Sequence, residues 1–194
     1  MTDAGPQERF TLSLKAAAEP DFSAATGHRF ARELADATIP PAVFRRYLVQ
    51  DYSFLDHFVR LLDAAIATAP EEAARRRYTD FRAAVTSGEN TYFLRSFEAL
   101  GIPETEWRDP EILPVTRRFH EIMGEAARSG RYASVLTVLV VTEWVYLDWA
   151  TSVMHTVPEQ FWFAEWIDIH ANPDFRSFVE WLIADVTAEH ECPK

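Results

Sequence analysis

Two carboxylic acids in this chain fall where a helix would turn them toward aromatic rings. Shielded acids of this kind move protons or hold nitrogen bases. Asp51 has Phe44, Tyr47 and Leu48 seven, four and three residues before it, and Phe54, Leu55 and Phe58 three, four and seven after. That is the spacing of one helical face. Glu143 shares a face with Leu136, Leu139, Val140, Tyr146, Leu147 and Ala150, and Thr142 precedes it. A carboxylate in such surroundings is costly unless something hydrogen-bonds to it. The partner is either a ligand or, in a purely structural arrangement, a backbone group or an arginine. If the two helices face each other, Asp51 and Glu143 line one apolar cavity suited to a small, flat, polar heterocycle. Aromatic walls would take its faces, and carboxylates its ring nitrogens and amino groups. Burial would raise the pKa of either acid and suit it to proton transfer.

Other chemistries lack their signatures. The six histidines are His28, His57, His120, His155, His170 and His190. None stands in a Glu-x-x-His or His-Glu-x-x-His spacing, so no metal site is expected. No Gly-x-Ser-x-Gly nucleophile turn and no Gly-rich phosphate loop occurs. The one cysteine, Cys192, sits near the end with nothing arranged around it; it reads as an incidental tail residue and excludes an intrachain disulfide.

The elements that must carry the two acids are helices. Only six Gly occur, and the eleven Pro fall mostly between periodic stretches. The pattern predicts helices over 7–18, 22–37, 41–68, 71–99, 111–129, 131–156, 159–170 and 174–190. Pro41 fits the first turn of the third. Gly101 suits a C′ position, and Ser87-Gly88 is a place for a kink. Val135 to Thr142 is β-branched and reads locally as a strand. No second strand exists to pair with it, so the helical reading takes precedence.

Size and composition set the class. The chain has 194 residues, 48% apolar and 25% charged, ordinary for one soluble domain with a real core. The expectation is a single domain over 1–194. No uninterrupted apolar run approaches the ~20 residues that cross a bilayer. Met1–Pro6 lacks the regions of a signal peptide, so the expected location is cytoplasmic. A net charge of −11 argues against nucleic acid as a partner. The basic run Arg75-Arg76-Arg77 is flanked by acids and reads as a solvated helix face. Trp107, Trp149 and Trp162 are candidates for buried subunit contacts.

With these residues in view, a resemblance emerges. "ATIPPAVFRRYLVQDYSFL" within Leu34–Phe58, "LTVLVVTEWVYLDWA" at 136–150 and "FWFAEWIDIHANPDFRSFVEWLIADV" at 161–186 resemble the TenA/thiaminase II family. The Tyr-Leu-Val-Gln-Asp-Tyr string is the most specific part, and the likeness extends over about 20–187. It implies an all-α, haem-oxygenase-like bundle of about seven to eight helices. It implies hydrolysis of aminopyrimidines derived from thiamin, with no metal or cofactor, in a homo-oligomer that is a dimer or tetramer.

By the same resemblance, Asp51 holds the pyrimidine ring nitrogen and amino group, and Tyr146 is the pocket tyrosine that assists the reacting centre. Phe54 and Phe119 replace pocket tyrosines. Tyr47 lines the cavity. His170 stands where a tyrosine follows the Trp-Ile pair, here Trp166-Ile167. The catalytic cysteine of one branch falls at Thr142, so this chain resembles the other branch, which keeps a glutamate at the next position, Glu143. A buried threonine is a far weaker nucleophile than a thiolate. Glu143 is therefore expected to act as base on water or acid on a leaving amine. The resemblance also implies a further C-terminal helix supplying a glutamate and an aromatic lid, whereas the sequence stops at Glu191-Cys192-Pro193-Lys194. Two other readings stay open: a non-catalytic small-heterocycle binding protein on the same scaffold, and a haem- or quinone-type redox protein with His28 as ligand.

Overall fold

Pro41 sets the start of the longest helix, and most of the fold follows from how that helix is held. A computed structural model describes residues 6–191, with side chains described from 10 to 186. Cys192 and Met1–Gly5 lie outside the described residues. The helices are α1 (Pro6–Ala17), α2 (Asp21–Thr26), α3 (Arg29–Ala35), α4 (Pro41–Thr68), α5 (Glu72–Ala84), α6 (Asn90–Leu100), α7 (Glu104–Trp107), α8 (Pro114–Arg128), α9 (Tyr132–Val153), α10 (Phe161–Ala171) and α11 (Pro173–Glu191). A single π-helical turn, Val85–Glu89, joins α5 to α6. The described residues contain no strand, and the protein is all-α as expected.

Several ends have legible causes. Pro41 and Pro114 sit in the first turns of α4 and α8, where a fixed φ helps and a missing N–H costs nothing. Asn172 caps α11, its Oδ1 accepting from the Phe175 N–H at 2.8 Å, with Pro173 next. Gly101 takes φ +62°, and the Ile102 N–H reaches back to the Phe97 carbonyl at 2.8 Å, closing α6 in a Schellman turn. The β-branched run Val135–Thr142 is helical inside α9, where Val135, Leu136 and Leu139 are buried.

Two expectations need correction, and the expected kink takes a particular form. The helix expected over 22–37 is two, because the His28 ring turns back: its Nδ1 accepts from the Phe30 N–H at 3.2 Å and starts α3 afresh. His28 is exposed and serves as a cap. The helix expected over 71–99 runs from Glu72 to Leu100, and the kink expected at Ser87-Gly88 is a π-turn over Val85–Glu89. There the Thr86 and Ser87 hydroxyls donate to the Arg82 and Ala83 carbonyls at 2.9 and 2.7 Å, competing with the regular ladder. In the arginine run Arg76 and Arg77 are exposed as expected, but Arg75 turns back onto the chain. Arg75 donates to the Ala69 and Pro70 carbonyls at 2.6 and 3.2 Å, holding the end of α4, while Arg76 pairs with Glu72 at 3.3 Å.

The chain divides into two compact units. One is Thr38–Val138, in which α4 packs against α5, α6, α7 and α8. Its core includes Phe44, Leu61, Tyr78, Phe93 and Met123. The other comprises the residues up to Ala37 and from Leu139 onward, with α1 against α11 and α10 against α3 and α11. Leu34, Trp166, Val179 and Leu182 form its core. Lys15 ties α1 to α9 there, 2.8 Å from Asp148 and 4.4 and 5.1 Å from the Phe22 and Trp144 ring centroids.

Two of the tryptophans expected at subunit contacts are packed within the chain. Trp149 is 7% exposed and has almost no surface to offer a neighbour. Trp107 is half-buried and stacks on Phe97 at 5.2 Å. Among the described residues α9 alone is long and apolar enough to cross a membrane. Of that stretch 44% is buried in the fold, and the helix carries the charged residues Glu143 and Asp148.

Candidate active site

In the Thr38–Val138 unit the candidate residues gather on α4. The side chains around Asp51 fix that helix from both directions. Arg45 donates to the Leu100 carbonyl at 2.5 Å and the Gly101 carbonyl at 3.3 Å, holding the end of α6. Gln50 does the same for the approach to α8: its Nε2 donates to the Glu111 carbonyl and its Oε1 accepts from the Leu113 N–H, both at 3.0 Å. Tyr52 donates to Asn90 Oδ1 at 3.1 Å and its ring sits among Phe93, Phe97 and Trp107, with centroids 5.3 to 5.5 Å away. Asp51 is held between these clamps at intermediate exposure.

The pocket aromatics expected in this unit meet in pairs. Phe54 stacks on Phe58 at 5.5 Å and meets Phe119 edge-on at 6.0 Å. Phe119 is 44% exposed, so one face of this pair remains open. Tyr47 stacks on Phe44 at 6.1 Å and is half-buried.

A third acid belongs to this unit, beyond the two that the sequence singles out. Glu89 ends the π-turn. The residue as a whole is of intermediate exposure, yet protein surrounds its carboxyl closely enough to push its pKa up to about 8. Desolvation is the larger cause and the Asp51 charge the second. At neutral pH Glu89 therefore carries a proton and donates rather than accepts. A signal for it exists in the sequence: Val85, Tyr92 and Phe93, at four before and three and four after, are all buried. The same spacing test applied to Asp51 selects Glu89. π-turns are frequent at functional positions because they aim side chains that a regular helix would point elsewhere.

In the other unit the candidates gather on α9 and α10. Glu143 is 5% exposed and Thr142, just before it, is half-buried. Tyr146, three residues after Glu143, stacks on His170 at 4.3 Å and meets Trp166 edge-on at 6.1 Å and Trp149 at 5.9 Å. His170 is 5% exposed, and its Nδ1 lies 2.9 Å from the Trp166 carbonyl. A carbonyl only accepts, so Nδ1 carries the hydrogen and Nε2 is left as an acceptor. Burial pushes the imidazole down to about 4, against the carbonyl, which favours the charged form. His170 is a neutral ring at physiological pH. Among the described residues no three His, Cys, Asp or Glu side chains gather as a metal would need.

Residues 16–190 match the TENA/THI-4/PQQC family. An aminopyrimidine aminohydrolase of Bacillus subtilis is 24% identical over 172 residues, covering 89% of this chain and 73% of that one. Another, of Halalkalibacterium halodurans, is 21% identical over 176 residues, covering 90% and 79%. The crystal structure of a TenA homologue from Pyrococcus furiosus superposes with a TM-score of 0.84 at 21% identity, over 95% of this chain and 87% of that one, a likeness of fold.

Proposed function

Because this chain belongs to the TENA/THI-4/PQQC family, we propose that it hydrolyses a C–N bond of a thiamin-derived aminopyrimidine, an aminomethyl- or formylaminomethyl-pyrimidine. Relatives matched over 73 to 79% of their own length carry the name aminopyrimidine aminohydrolase. The observation that carries the reading is the setting of Glu143. Its carboxyl is inside the protein, on the helix that presents Tyr146 to the neutral ring of His170. An acid shielded from bulk water exchanges protons with a bound substrate rather than with solvent.

For an aminomethylpyrimidine the step balances as follows. The oxygen of a water bonds to the methylene carbon while the C–N bond breaks. Glu143 takes a proton from that water and returns it to the departing nitrogen, which leaves as ammonia. Tyr146 is its hydrogen-bonding partner. Asp51 anchors the ring nitrogen and amino group, and Tyr47, Phe54 and Phe119 pack on the ring. Thr142 and the Nε2 acceptor of His170 border the substrate. No thiol takes part, so no covalent adduct forms.

The test is turnover of both pyrimidines by the wild type beside Glu143→Gln. Loss of a proton carrier costs about 10²- to 10⁴-fold in rate. Equal rates in the two proteins would remove Glu143 from the chemistry, and absence of turnover with either pyrimidine would leave a binding protein. The same reading includes a homo-oligomer in the cytoplasm. Exposed Val115, Val141 and Val157 supply apolar surface for such an assembly, and sedimentation velocity reads its size.

A further inference from the structure

Helices α4 and α8 bring two histidines face to face. The rings of His57 and His120 are parallel, with centroids 3.8 Å apart and 4° between planes. His57 Nδ1 and His120 Nε2 are buried, and neither has a hydrogen-bond partner among the described residues. Native folds leave few such atoms, and each calls for an explanation. Both residues border a cavity of about 530 Å³, a volume typical of small-molecule sites.

Charge decides what such a cavity would hold. Arg60, Arg117, Arg128 and Glu121 also line this cavity. Arg60 pairs with Asp56 at 2.8 Å, and Glu121 with Arg118 at 3.1 Å, so these four charges cancel. Arg117 makes one long contact, 3.5 Å to the Ile112 carbonyl, and Arg128 has no ion pair among the described residues. Two uncompensated guanidinium groups therefore border the cavity of a chain whose net charge is −11.

We propose that this cavity binds the phosphate group of a small phosphorylated molecule, held by the Arg117 and Arg128 guanidinium groups beside the His57–His120 stack. Guanidinium forks match phosphate oxygens, and an imidazole beside a bound phosphate gains a proton and a charge more readily. The state of His120 agrees. Burial, then the His57 ring and Arg117, hold its pKa below the usual imidazole range, with Asp56 opposing. A bound phosphate offsets the first charges it meets, so occupancy raises the pKa of His120.

Inorganic phosphate and phenyl phosphate are titrated into the whole protein at fixed ionic strength while the imidazole signals of His57 and His120 are followed by NMR. Saturable shifts of both rings are expected, with the titration of His120 moved to higher pH. Binding is expected to weaken about tenfold or more in an Arg117→Gln, Arg128→Gln double variant. Both arginines are exposed, so the variant keeps its fold, which circular dichroism checks. Tighter binding of phenyl phosphate identifies a phosphate ester as the natural occupant, and equal binding identifies the free anion. His120→Phe keeps the stacked rings without the charge and is expected to weaken binding as well. Non-saturating shifts that chloride reproduces, or saturable binding that neither variant changes, would overturn the site.

Discussion

Tyr146 and His170 lie ring against ring, 4.3 Å between centroids and 27° between planes, with the histidine hydrogen aimed at the Trp166 carbonyl. Burial decides which form of the imidazole the fold accepts. With its pKa pushed down to about 4 and an ordinary value near 6.5, the ring stays neutral on folding. The contribution to stability is complete above about pH 6.5 and is lost as pH falls toward 4. Between pH 7.5 and pH 5 the wild type should lose about 2 kcal/mol from this group. Urea unfolding at the two pH values measures it, and His170→Phe, which keeps the stack without a titrating group, should show a smaller loss.

Glu89 works in the opposite sense. Its carboxyl is raised to about 8 from an ordinary 4.5, so the folded protein holds a proton that the unfolded chain releases. Its contribution to stability is fully present below about pH 4.5 and is lost as pH rises through about 8. Glu89→Gln fixes the neutral form. That variant should be more stable than the wild type at pH 8 and should lose any alkaline limb of kcat/KM with a midpoint near 8. An alkaline limb that persists unchanged in Glu89→Gln would assign it to another group.

Gln50 is predicted to matter through the backbone that it holds. Gln50→Ala removes two hydrogen bonds to the segment before α8, a loss of about 1–3 kcal/mol. Hydrogen exchange at the Leu113 amide should speed up more than exchange in the core of α8. An unchanged rate there would mean that the segment is held by its packing alone.

Thr142 sets an expectation for a second substrate. Cleavage of intact thiamin calls for a stronger nucleophile than a threonine hydroxyl. The purified protein should turn thiamin over at least about a hundredfold more slowly than an aminomethylpyrimidine. Comparable rates on the two substrates would point to another nucleophile.

Much of the fold is legible in the sequence because its punctuation is local. Pro41, Gly101 and Asn172-Pro173 each act through their own backbone, and the chain obeys them. The failures involve competition that a periodic pattern does not weigh. His28 offers the backbone an alternative partner, and so splits a helix that apolar spacing alone would run together. Of the site, the settings of Glu143 and Tyr146 are readable from three- and four-residue spacing. Glu89 obeys the same rule, but the kink expected at Ser87-Gly88 breaks the period beside it and hides the match. The meeting of His57 with His120 depends on how α4 packs on α8, which sequence spacing does not contain.

The segment Val135–Val141 has a consequence for the denatured protein. Helical in the native state, these seven residues carry no charge, no proline and no glycine, and five are β-branched. Released from the native fold, such a stretch favours cross-β pairing with copies of itself. Thermal inactivation is then set by how quickly the chain opens and self-associates, so an apparent melting temperature will rise with heating rate and fall with concentration.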